Sequence, residues 1–105
     1  IIDRFYLATL YKNDSQLLLI KNKKFNFLKN LLIFPMKEIT HSDSLLKSSK
    51  KLKVKMSNMN MNISIDFLIT KNKSKDGLWI EKSKLKNYII PTFTKKIFES
   101  VKHNL

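Results

Sequence analysis

One stretch limits what this chain can fold into more than any other. Met59, Met61, Ile63, Ile65 and Phe67 alternate with Asn60, Asn62, Ser64 and Asp66. A period of two places the apolar set on one face of a strand and the polar set on the other, a division no helix makes. A one-residue slip would turn five large apolar side chains into water, so the register of this strand is strongly specified.

The rest of the chain reads as partners for that strand. Arg4–Tyr11 is a strand pattern, with Phe5, Tyr6, Leu7 and Leu10 around Thr9. Lys12-Asn13-Asp14-Ser15 is a turn cluster. Gln16–Lys21 carries Leu17, Leu18, Leu19 and Ile20 in a row, as in a strand buried on both faces, and completes a hairpin. Asn22–Asn30 is a Lys/Asn/Phe loop. Leu31–Ile39 is extended, with Pro35 marking an edge or a bend. Thr40–Lys51 reads as a short helix that Ser42 or Asp43 can cap. Leu52–Met56 and Met59–Thr70 are strands around a break at Ser57-Asn58, and Lys71–Gly77 is a polar turn. Leu78-Trp79-Ile80 is a short strand, and Glu81–Asn87 is read as one helical turn. Thr92 is placed to cap a last helix with Phe93, Ile97, Phe98 and Val101 on its apolar side. Strands first, a helix in the middle and a helix at the end make an α+β fold, and 105 residues allow one domain, 1–105.

Composition then excludes several functions. There is no cysteine, hence no disulfide, iron–sulfur cluster or thiolate zinc site within these residues, and one glycine leaves no room for a glycine-rich phosphate loop. The net charge of +13 points to a polyanion. That reading is weakened by a ratio of 20 Lys to one Arg, with 12 Ile and 10 Asn, which looks like the coding bias of an AT-rich genome. Arg, whose planar fork suits phosphate, is what selection for such contacts often keeps. No apolar run reaches the length of a membrane span and no signal peptide is visible, so a cytoplasmic protein is expected. The chain begins Ile1-Ile2-Asp3 without methionine, and a domain cut from a longer protein is expected.

No local motif carries catalysis. His41 and His103 are isolated, and no two glutamates lie near one another. No catalytic residue and no metal ligand set is assigned. The loop holding Lys21, Lys23, Lys24 and Lys29 around Phe25 and Phe27 has two readings. Interleaved lysines and aromatics can hold a phosphate backbone and stack a base; alternatively the two Phe fold back over the core and the lysines form a solvated face.

In order and spacing the segments resemble the C-terminal domain of the A/G-specific adenine DNA glycosylases, the MutY family, a Nudix-like fold without the hydrolase box. Arg4-Phe5-Tyr6-Leu7 and Gln16-Leu17-Leu18-Leu19-Ile20 resemble its opening strands. Asn30-Leu31-Leu32-Ile33-Phe34-Pro35 is similar to its Gly-Leu-Trp-x-Phe-Pro segment, with Asn30 and Leu32 where Gly and Trp are usual. Leu78-Trp79-Ile80 resembles its late Trp strand, and Ile90-Pro91-Thr92 with Lys95-Lys96-Ile97-Phe98 its Leu-Pro-Thr and closing helix. Met56-Ser57-Asn58-Met59 falls where the family has Phe-Ser/Thr-His-Phe, the loop that reaches 8-oxoguanine opposite the target adenine.

The resemblance implies a Nudix-like mixed sheet flanked by a short middle helix and a C-terminal helix. It implies a DNA-repair role in recognising 8-oxoguanine opposite adenine. Ser57 matches the Ser or Thr that contacts the oxidised base, Asn58 replaces His, and Met56 and Met59 replace Phe with pliable apolar bulk. Lys23, Lys24, Lys29 and Lys55 are the expected contacts to the DNA backbone. The implied partners are duplex DNA carrying the 8-oxoguanine:adenine pair and an N-terminal catalytic domain of the same polypeptide, which would hold the iron–sulfur cluster; no membrane is implied. The implied place is the bacterial cytoplasm, at the nucleoid. For Ser57-Asn58 the plainer reading is a strand–strand turn. Two other functions remain open: a sequence-neutral binder of nucleic acid, and a Nudix-type hydrolase. The latter needs several Glu and an Arg around Mg²⁺, where this chain offers Glu38 and Arg4.

Overall fold

A computed structural model of the protein describes residues 2–40, 50–71 and 76–105. Its strands are β1 (Ile2–Asn13), β2 (Gln16–Lys21), β3 (Leu32–Ile33), β4 (Met36–Ile39), β5 (Lys50–Met56), β6 (Met59–Ile69) and β7 (Leu78–Glu81). A 3₁₀ helix over Lys82–Asn87 and the helix α1 (Thr92–Val101) follow.

The strands form a mixed sheet in the order β3-β2-β1-β6-β5, with β4 paired to β1 and β7 to β2. Its centre is a parallel pairing of β1 with β6, from Ile2 opposite Met59 to Lys12 opposite Ile69. The alternation in β6 is what seats it there. Met61, Ile63 and Ile65 are buried with Tyr6, Ala8 and Leu10 of β1, and Phe93, Ile97 and Val101 of α1 join the same core. Ser64, from the polar set, is buried as well. Leu17, Leu18 and Leu19 are all buried, as the unbroken apolar run requires of a strand covered on both sides. Over Leu18 the chain passes so closely at Gly77 (φ 142°) that a Cβ there would lie 2.6 Å from the leucine Cδ1, and the polar turn therefore needs its glycine.

Polar groups fasten the remaining pieces. The buried Thr94 hydroxyl donates to the Leu32 carbonyl at 2.7 Å, tying α1 to β3. The Asn13 amide donates to the Thr70 carbonyl at 3.0 Å, closing the far ends of β1 and β6.

Three expectations change. Thr92 is the first residue of α1, Pro91 stands at the cap position, and no side chain caps the helix; the fixed φ of proline leads the chain into the helix instead. Lys50 and Lys51, at the end of the expected middle helix, are in β5, where pairing with Ser64 and Ile65 wins over local helix propensity; the rest of that helix, with Ser42 and Asp43, lies outside the described residues. Glu81 ends β7, and the helical turn after it is 3₁₀.

Candidate nucleic-acid interface

The β5–β6 hairpin closes on Met56 opposite Met59, which makes Ser57-Asn58 a two-residue turn at its tip. Ser57 has φ 56°, while Asn58 does not share the positive sign. That is the sign pattern of a type II′ turn, whose backbone twist suits a two-residue hairpin and whose first position ordinarily prefers glycine. Both residues are exposed. The Ile2 N–H donates to the Asn58 carbonyl at 3.0 Å, so the start of β1 holds the turn from the side. Met56 and Met59, half-buried, pack against the core beneath it. The plain-turn reading and the site reading describe the same object, an exposed hydroxyl and amide on a rigid hairpin.

Lys55 enters this turn from β5. Along that strand Lys51, Lys53 and Lys55 are exposed while Leu52, Val54 and Met56 turn inward. β5 is the last strand in the sheet order, and lysines along such an edge oppose pairing with another chain as well as attracting phosphate. Lys51 and Lys53 were legible as an every-second-residue pattern, yet that signal is shared with any edge strand.

Lys23, Lys24 and Lys29 are exposed on the loop between β2 and β3, and the aromatics between them turn inward. Phe25 and Phe27 stack at 5.1 Å between centroids and meet Tyr6 edge-on at 5.6 and 5.9 Å; Phe27 also reaches Phe93 at 6.4 Å. The base-stacking reading of these two rings is thereby displaced, because their faces are occupied by one another and by the core. Lys24 Nζ lies 5.5 Å from the Phe25 centroid.

The loop owes its form to a residue that sequence reasoning passed over. Asn22 is 1% exposed. Its amide donates to the carbonyls of Phe27 and Leu28, and its oxygen accepts from the N–H groups of Lys24 and Phe25 at 3.2 and 3.0 Å. Four backbone groups are thus satisfied from one side chain. Leu28 (φ 51°) and Asn30 (φ 67°) take the left-handed conformation that lets the loop wrap around it.

Tyr6 joins the two regions. It is 2% exposed; its ring carries Phe25 and Phe27, and its hydroxyl donates to the Met59 sulfur at 4.0 Å. Burial pushes its pKa up, the negative charge of Glu38 adds to this, and Arg4 opposes it. Glu38 is itself paired with Arg4 at 3.0 Å. Among the described residues no three His, Asp or Glu side chains converge. These residues do not fit a Mg²⁺–diphosphate site.

No protein-family profile matches the sequence, and no curated protein does. Solved structures do match the fold. The C-terminal domain of mouse MUTYH, in a complex with human PCNA, has a TM-score of 0.68 over 96% of this chain and 88% of that one, at 13% identity. A MutT described for the fish pathogen Aliivibrio salmonicida and for Vibrio cholerae has a TM-score of 0.54 over 98% and 99%, at 11% identity. The fold is Nudix-like. At these identities the likeness establishes the architecture alone. It accords with the α+β sheet anticipated from the strand order. No helix among the described residues is long and apolar enough to cross a membrane.

Proposed function

We propose that this Nudix-like domain recognises 8-oxoguanine opposite adenine in duplex DNA, as the C-terminal module of an adenine glycosylase. In this reading its catalytic domain, with the iron–sulfur cluster, precedes the present residues. The observation that supports it is the Ser57-Asn58 turn: an uncharged donor–acceptor pair, exposed at the tip of a hairpin. Lysine-bearing elements support the turn: Lys55 within the hairpin itself, and the Lys23–Lys29 loop through Phe25, Tyr6 and Met59. The likeness in fold to the C-terminal domain of MUTYH accords with it.

The chemistry is a matter of donors and acceptors. The Hoogsteen edge of guanine offers an acceptor at N7, whereas 8-oxoguanine carries a donor there. With its own proton given elsewhere, the Ser57 hydroxyl accepts from that donor but meets guanine N7 as a second acceptor, and such a mismatched polar group at a closed interface costs about 1–3 kcal/mol. Asn58, with an amide in place of imidazole, can both donate and accept. Lys23, Lys24, Lys29 and Lys55 hold the phosphate backbone and fix position rather than sequence. Adenine excision itself requires extruding the base into a pocket, which this reading assigns to the other domain.

The test is a competition in the intact protein between lesion-bearing and undamaged duplex at about 150 mM salt. A preference for the lesion duplex supports the proposal. Equal affinities that fall together with salt would instead identify a sequence-neutral binder.

A further inference from the structure

On another part of the molecule, the 3₁₀ helix and α1 enclose a cleft of about 340 Å³. Its floor is apolar: Leu85, Ile90 and Phe98. Phe98 is half-buried, and although it packs on the core it also faces this space. Lys82, Lys86 and Lys95 stand around the floor. Among the described residues the only acid lining the cleft is Glu99, whose carboxylate is paired with Lys102 at 2.6 Å. Lys82 Nζ donates to the Leu105 carbonyl at 3.0 Å and Lys102 is held by Glu99, so among the described residues the exposed lining cations without a partner are Lys86 and Lys95. Beside Ile90 in the chain, Tyr88 and Ile89 are 41% and 96% exposed and continue the apolar surface outward.

We propose that this cleft docks an acidic segment of a partner protein through one apolar anchor residue. An apolar floor of this size accommodates a side chain rather than a bare phosphate. The surrounding charge selects carboxylates near the anchor, the arrangement of an amphipathic segment laid in a groove. Charge also decides where the occupant comes from. The chain's eight acids are scattered, no five-residue window holding two of them, so no segment of these residues is complementary to the cleft. A second copy carries the same +13 and is repelled.

The test uses the intact protein and a labelled synthetic peptide of about twelve residues with one leucine among glutamates. Fluorescence anisotropy at about 150 mM salt should show saturable binding. Replacing the peptide's leucine by serine, with all charges kept, should weaken it at least about tenfold. So should Lys86→Glu with Lys95→Glu in the protein. Both positions are exposed, and an acid in the first turn of α1 suits the helix dipole, so the fold is kept. The ratio of affinities for lesion and undamaged duplex should not change, which separates this surface from the Ser57 turn. Absence of saturable binding, equal binding of the serine peptide, or indifference to the double substitution would each overturn the proposal.

Discussion

Two polar segments, the loop after β2 and the turn after β5, use their hydrogen-bonding groups in opposite ways. In the loop, Asn22 turns its amide inward and satisfies four backbone groups, while Phe25 and Phe27 pack on Tyr6. What the loop offers the surroundings is lysine charge alone. In the turn, Ser57 and Asn58 face outward and the burial is left to Met56 and Met59. A buried polar residue shapes its segment, whereas an exposed one on a rigid hairpin is available to a ligand. Under the proposed function, holding falls to the loop and discrimination to the turn.

The difference is open to attack at both ends, and the largest effect belongs to the loop. Asn22→Ala removes four hydrogen bonds and strands their backbone partners, so a loss of about 3 kcal/mol of stability is expected by urea unfolding. A loss below about 0.5 kcal/mol would mean that the loop is not organised by this side chain. At the turn the expected sign is reversed. Ser57 holds a positive φ that glycine adopts freely. Ser57→Gly should therefore raise stability by about 0.5–1 kcal/mol, while lowering the lesion preference about tenfold through loss of the hydroxyl. A gain in stability with a loss of recognition is not what a merely structural turn residue would show.

The smallest effect lies at the link between the regions. The folded state holds the Tyr6 phenol neutral, with its pKa raised chiefly by burial. Its contribution to stability is complete below about pH 10, the value for an unfolded tyrosine, and is lost as pH rises from there through the higher folded value. Tyr6→Phe should flatten that alkaline decline, seen by comparing urea midpoints of both proteins at about pH 9 and about pH 11. Parallel declines would show that the fold does not raise the pKa of the phenol.

Much of the sheet was legible because its strands carry local patterns. The alternation of β6 and the apolar run of β2 each declare which faces are covered, and the spacing of Phe93, Ile97 and Val101 declares α1. The parallel pairing of β1 with β6 was not legible, since no local signal tells a strand which distant strand it will lie beside. Asn22 was missed for a related reason: an asparagine in a Lys/Asn loop looks like solvent-facing sequence until the carbonyls of Phe27 and Leu28 are seen to converge on it. The inward turn of Phe25 and Phe27 depends on Tyr6, contributed from elsewhere in the chain. Ser57 was singled out by resemblance, because a serine between two strands is otherwise an ordinary turn residue.

The central claim, that an uncharged turn reads the lesion, is tested most directly by Ser57→Ala in the intact protein. The measurement is the ratio of affinities for duplexes carrying 8-oxoguanine:adenine and guanine:adenine. The hydroxyl is lost while the exposed backbone is retained, so stability should change by less than about 0.5 kcal/mol. The ratio should fall about tenfold, the effect of one polar contact of about 1.4 kcal/mol. A ratio unchanged by the substitution would contradict the assignment of discrimination to Ser57.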